Sequence, residues 1–250
     1  MASSTVVFVT GAGRGIGKGL TEAYLQRPNH IVVGSVRDST SPSYDALKQT
    51  PAAQGSRLIL VSLDASQLGD AAKAVQAAQE AGVSHVDIVI ANAGISSTPG
   101  PLPQAALGEV VEALQVNSVA PIALYQAVLP LLEKSQKPIW ISMSSAAGSI
   151  GNLEVHQAHY LLGYGISKAA MNFFTVAVHA AHPNIIAYAI HPGLVQTDLG
   201  NTGAKMQGME KAPITLEDSC AKVIATADNA TREGTSAKFL DIMTDGEFPW

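Results

Sequence analysis

The 250-residue chain has one cysteine, Cys220, so no disulfide can close within it and a disulfide-stapled secreted fold is excluded. The lone thiol suits a reducing compartment, and a cytoplasmic location is the expectation. Charge is scarce as well. Charged residues make up 14% of the chain, against about 25% in an ordinary globular protein, and acidic residues lead, 20 to 15. A nucleic-acid-binding surface needs concentrated Lys and Arg, so no nucleic-acid partner is expected. No apolar run reaches 18 residues, and no membrane span is expected. The opening run Val6–Val9 follows no basic segment and stops after four residues, which reads as a buried strand rather than a signal peptide. The 22 glycines and 13 prolines fall well short of the roughly 25–30% of low-complexity chains. What is present is a 47% hydrophobic composition and enough length to bury a core unaided, so residues 1–250 are expected to form a single domain.

Short β-branched runs alternate with longer helical stretches. Strands are expected at Val6–Val9, Ile31–Val36, Leu58–Ser62, Val86–Ile90, Ile139–Ser142, Ile185–Ile190 and Phe239–Ile242. Several are apolar on both faces, as strands covered by helices on both sides must be. Helices are expected at Gly15–Gln26, Ser66–Ala81, Leu107–Leu132, Ala158–Ala181 and Leu216–Ala227, with Ser66 and Gly82 as cap residues of the second. Repeated strand–helix–strand units imply an α/β fold with a doubly wound parallel sheet. Two stretches break the pattern: the polar, histidine-bearing segment 148–163 and the glycine-rich, aperiodic segment 199–213. Both follow strands, so both are candidate walls of a substrate pocket.

Thr10-Gly-Ala-Gly-Arg-Gly-Ile-Gly17 joins the first strand to the first helix. A Walker loop would need Gly at position 12 and Ser or Thr at position 19; Ala12 and Gly19 stand there. The strict G-x-G-x-x-G spacing fails too, because Ile16 fills its third place. Gly11, Gly15 and Gly17 still let backbone approach a pyrophosphate at a helix N-terminus. The second strand ends Val36-Arg37-Asp38. A carboxylate at that tip suits the ribose hydroxyls of NAD, whereas arginine suits the 2′-phosphate of NADP. Arg37, with Arg14 from the glycine loop, favours NADP(H), and Asp38 keeps NAD open.

Tyr164 and Lys168 stand four apart in a helical stretch, so their side chains share a face. A free phenol with a pKa near 10 is a reluctant acid–base group, and a nearby ammonium is expected to lower that value. Ser145 closes the serine-rich strand end Ile141-Ser-Met-Ser-Ser145 and offers a hydroxyl to an oxygen on which charge develops; Ser144 is its neighbour and rival. The combination suits hydride transfer to a carbonyl with Tyr164 as proton donor.

With these motifs in order, the sequence resembles the short-chain dehydrogenase/reductase family over nearly its whole length. The resemblance implies a seven-stranded sheet of order 3-2-1-4-5-6-7 with helices on both faces. It implies cofactor contacts from Gly11, Arg14, Gly15, Ile16, Gly17, Arg37, Asp64, Asn92, Ala93, Gly94, Tyr164, Lys168, Pro192, Gly193, Val195 and Thr197. It also implies a catalytic set of Asn117, Ser145, Tyr164 and Lys168, with a helix kink at Asn117 holding a water of the proton relay. The closing stretch 237–250 resembles norsolorinic-acid-ketoreductase-like and C-factor-like carbonyl reductases. The 19 positions from Ser145 to Tyr164 exceed the spacing of common members, so the substrate pocket is this chain's own.

The expected activity is NADPH-dependent reduction of a ketone or aldehyde, with an apolar substrate suggested by Leu153, Val155, Leu161 and Leu162. Alternatives are an alcohol dehydrogenase working oxidatively and a non-catalytic cofactor-sensing protein. His156-x-x-His159 and His179-x-x-His182 lack the company of a zinc site, and no metal is expected. A homo-oligomer, dimer or tetramer, is expected.

Overall fold

A computed structural model describes residues 4–250. The strand β1 (Thr5–Thr10) leads through the glycine loop into α1 (Gly15–Leu25), and β2 (His30–Val36) follows. The short helix α2 (Asp45–Lys48), β3 (Arg57–Ser62), α3 (Asp70–Glu80) and β4 (Ile88–Ala91) complete the first half. The second half runs α4 (Leu107–Leu114), α5 (Ala120–Leu132), β5 (Ile139–Met143), α6 (Leu162–Ala181), β6 (Ile186–His191), α7 (Asp198–Met206), α8 (Leu216–Asn229), β7 (Phe239–Asp241) and β8 (Gly246–Glu247). The sheet order is 3-2-1-4-5-6-7-8. The first seven strands are parallel, as the sequence led us to expect; β8 is a two-residue antiparallel addition on β7.

Strand alternation explains both faces. Val6 and Phe8 point into a core shared with Val128 and Leu132 of α5 and Met171 and Val178 of α6. Val7 and Val9 point the other way, against Leu20 and Tyr24 of α1 and Val223 of α8. With both faces covered, β1, β4 and β5 have almost no place for polar side chains. The stretches 107–132 and 158–181 are long and apolar enough by composition to cross a bilayer, yet each lays a buried face on the sheet. Order reverses between β1 and β4, and the crevice outside their carboxyl ends is where the glycine loop lies.

Three local expectations need correction. The third helix begins at Asp70, not Ser66: the Asp64 carboxylate accepts the Ser66 N–H at 2.9 Å and builds a turn first. Its other end is as expected, since Gly82 (φ +92°) closes a double cap in which Gly82 and Val83 donate to Gln79 and Ala78. Residues 107–132 are two helices joined by a π turn over Gln115–Val119. The stretch 199–213 is largely helical in its first half, because Thr197 caps α7 and Gly200 and Ala204 form its buried face. Large apolar residues are missing there because the helix packs too closely for them. A Cβ on Gly200 would stand 1.9 Å from the Val195 carbonyl oxygen.

Candidate active site

The glycine loop is shaped for close approach of backbone. Gly11 (φ +70°) and Gly15 (φ +53°) occupy the left-handed region. A Cβ on Gly17 would lie 2.3 Å from the Gly11 carbonyl oxygen. Arg14 precedes α1 without a side-chain cap, which leaves the first-turn N–H groups of the helix for an anion. Ile16, partly buried, packs on the core below. The loop is braced from β4: the Thr10 hydroxyl accepts the N–H groups of Asn92 and Ala93, each at 2.9 Å, and the Asn92 amide donates to the Thr10 carbonyl at 2.8 Å.

Farther along the crevice, Arg37 stands exposed at the tip of β2. Asp38 is turned back on Thr40, accepting its hydroxyl at 2.6 Å and its N–H at 2.9 Å. Those bonds hold its carboxyl below the usual carboxylate range. The Arg14 guanidinium lies 3.6 Å from Asp198 of α7. Next to Asp64, Thr10, Leu63, Ala65, Ala91, Ala93 and Val116 line a small, mainly apolar depression. Above the loop, Gly193 (φ +85°) turns the chain, the buried Pro192 carbonyl accepts the Ser219 hydroxyl, and buried Val195 pairs with Ile214. The Thr197 hydroxyl is spent on capping α7, at 3.1 Å from the Gly200 N–H, while its methyl group faces Gly15. A dinucleotide fits this crevice by its chemistry: a close-approach loop with free N–H groups for phosphates, apolar side chains beside Asp64, and cations at the rim.

At the other end of the crevice, Ser145, Tyr164 and Lys168 meet. Ser145 begins a 3₁₀ turn (Ala146–Gly148) and its hydroxyl accepts the Ala147 N–H at 3.2 Å. Ser144 points away and donates to the Asn172 amide oxygen at 2.6 Å in the core, so the structure assigns the site serine to Ser145. Tyr164, in the first turn of α6, lies against Ser145. Burial raises the phenol pKa and the Ser145 hydroxyl opposes that rise. Lys168 is buried, its ammonium 5.5 Å from the Tyr164 ring centre and 2.7 Å from the Met143 carbonyl it donates to. Burial brings the Lys168 pKa down to about 8. The expected depression of the phenol pKa is therefore not found. Desolvation dominates, and the ammonium is hydrogen-bonded to the Met143 carbonyl.

Asn117 sits within the π turn and is fully buried. Its amide exchanges two hydrogen bonds with the Ile95 backbone (2.9 and 2.8 Å) and donates to the Ser167 hydroxyl at 2.9 Å. With the side chain committed, any solvent relay here falls to the backbone, where Ala120 N–H reaches back five residues to Gln115. Gly94 packs into the same corner: a Cβ there would stand 3.0 Å from the Asn117 oxygen and 3.5 Å from the Lys168 ammonium.

Two residues without a role in the sequence pattern join the site. Ser97 accepts the Tyr164 N–H at 3.1 Å, capping α6 from 67 residues away, a separation no local motif reveals. His191 accepts the Ala146 N–H at 3.2 Å; it directly precedes Pro192 and Gly193, and nothing local reveals a partner 45 residues away. Among the described residues, no three His, Cys, Asp or Glu side chains group to hold a metal. His156 packs on Phe248 and His159 on Tyr160 instead.

The short chain dehydrogenase family matches residues 5–208. The chain is 42% identical to short-chain dehydrogenase srdF of Neurospora crassa, over all of this chain and 99% of the relative. It is 40% identical to norsolorinic acid ketoreductase of Aspergillus parasiticus, over 98% of this chain and 91% of the relative. The solved NADPH-bound carbonyl reductase from chicken fatty liver superposes with a TM-score of 0.85 at 27% identity, over the whole of both chains.

Proposed function

The chain belongs to the short-chain dehydrogenase family, and on that premise we propose that it reduces an apolar ketone or aldehyde to an alcohol with NADPH as the reductant. At the coarser level it is a carbonyl- and ketoreductase-like oxidoreductase whose fold binds a nicotinamide cofactor. The observation that carries the proposal is the meeting of Ser145, Tyr164 and Lys168 at one end of a crevice whose other end is the glycine loop.

The nicotinamide, when bound, supplies the hydride to the carbonyl carbon. Everything else falls to the protein. Tyr164, its phenol pKa raised, holds its proton at neutral pH and gives it to the carbonyl oxygen as negative charge gathers there. Ser145 accepts a backbone N–H and its hydroxyl is hydrogen-bonded to the Tyr164 phenol, which keeps both hydroxyls close enough to bond one carbonyl oxygen. Lys168 remains cationic below about pH 8 and stabilises the phenolate left behind. NADPH over NADH is supported by exposed Arg37 at the β2 tip and by the commitment of Asp38 to Thr40. An apolar substrate is supported by Leu153 and Val155, which the insertion leaves exposed.

Loss of NADPH absorbance against ketones, aldehydes and quinones tests the activity. Tyr164→Phe is expected to cut turnover by at least about 10³-fold while leaving NADPH binding within a few-fold. Retained turnover overturns the proton-donor role. Arg37→Ala is expected to erase most of the preference for NADPH over NADH. We further propose a homo-oligomer in a reducing, cytoplasmic setting, consistent with the outward apolar residues of α4 and α6 and with buried, unpaired Cys220.

A further inference from the structure

We infer that His191 is a positioning residue for Ser145: by accepting the Ala146 N–H it holds the turn that aims the serine hydroxyl. The inference rests on the carbonyl-reductase reading above. Two N–H groups open the Ala146–Gly148 turn and need acceptors. Ser145 takes the second, Ala147, at 3.2 Å; His191 takes the first, at 3.2 Å, from the end of β6. Without the imidazole, the Ala146 N–H in this partly buried place loses its protein acceptor, and the turn is free to rotate toward water. Ser145 is part of that turn, so its hydroxyl moves with it.

The ring is held for the task. Phe248, from the segment after β8, meets His191 edge to face at 5.6 Å between ring centres. The same Phe248 contacts His156 of the insertion at 5.3 Å and Phe239 of β7 at 5.1 Å. An acceptor at Nδ1 requires the proton of the neutral ring to sit on Nε2. Burial brings the His191 pKa down to about 4; His156 reinforces this and Asp241 opposes it, so the acceptor persists at neutral pH. The insertion and the closing segment thus converge on one ring that touches the catalytic turn.

Two substitutions separate the acceptor from the bulk. His191→Asn places an amide oxygen where Nδ1 stands; His191→Leu fills space without an acceptor. We expect kcat in the leucine variant to fall about 10–100-fold, the effect of a misplaced group, with the NADPH dissociation constant changed less than about threefold. The asparagine variant should keep kcat within about threefold. Hydrogen exchange at the Ala146 amide gives a readout that needs no turnover: faster in His191→Leu, near wild type in His191→Asn. His191→Ala replaces the leucine variant if that does not fold. Wild-type exchange and kcat in the leucine or alanine variant overturn the inference, as does an asparagine variant that folds yet matches leucine in both. If the wild type reduces no carbonyl with NADPH, the proposed reaction has failed, and the exchange comparison still decides the role of His191.

Discussion

Ser144 and Ser145 carry the same hydroxyl, and their surroundings give them different work. Ser144 is buried against the Asn172 amide oxygen; Ser145 borders Tyr164. Ser145→Ala should lower kcat about 10²–10³-fold with little change in melting temperature. Ser144→Ala strands a buried acceptor and should cost about 1–3 kcal/mol of stability, read by urea unfolding, with the chemistry largely kept. His191 makes a prediction in pH. Its folded pKa, about 4, lies below the ordinary 6.5, so the unfolded chain binds the extra proton first as pH falls. The fold is therefore weakened from about pH 6.5 down to about 4 and is unaffected by this group above that window. His191→Asn removes the burden: between pH 7 and pH 5 its melting temperature should fall roughly 4–7 °C less than that of the wild type.

At the scale of elements, α6 depends on support from outside itself. It starts at Leu162 with no side-chain cap of its own, and the Ser97 hydroxyl accepts the Tyr164 N–H in place of one. The loop bearing Ser97 is tied in turn by Glu109 of α4, which accepts the Thr98 N–H and hydroxyl. Ser97→Ala should cost about 1 kcal/mol, a drop of roughly 2–4 °C in melting temperature, and should lower kcat because Tyr164 rides on that turn. Unchanged melting and kcat would mean that α6 holds its first turn unaided. The π turn between α4 and α5 plays a comparable part, since it carries Asn117 inward to pin Ile95 next to Gly94.

For the whole molecule, the unresolved demand is apolar surface. Leu107 and Val111 on α4 and Ile166 and Phe173 on α6 point outward, with Phe173 79% and Leu107 75% exposed. Residues four and seven apart recur on one side of a helix, so each helix presents a stripe. Burial of such stripes between copies is the physical basis for the proposed homo-oligomer. Sedimentation should show a dimer or tetramer for the wild type. Val111→Asp with Phe173→Asp should shift it to monomer without changing the circular dichroism spectrum; an unshifted oligomer would place the interface elsewhere.

The amino-acid order alone determined the alternation of strands and helices, the glycine loop, the Tyr164–Lys168 pair and the arginine at the β2 tip. Each is a local pattern, set by periodicities of two and 3.6 residues or by backbone freedom at glycine. The cap at Gly82 was legible for the same reason; the start of α3 was not, because an aspartate turn competed with a serine cap. α7 escaped notice because its buried face is made of Gly200 and Ala204, which give no hydrophobic signal. Only the tertiary structure decided between Ser144 and Ser145, joined Ser97 and His191 to the site, and reversed the expected direction of the Tyr164 pKa. Those outcomes depend on distances between residues 28 to 67 positions apart and on how much water the fold removes around a charge. Chain order does not contain such quantities until the sheet brings the segments together.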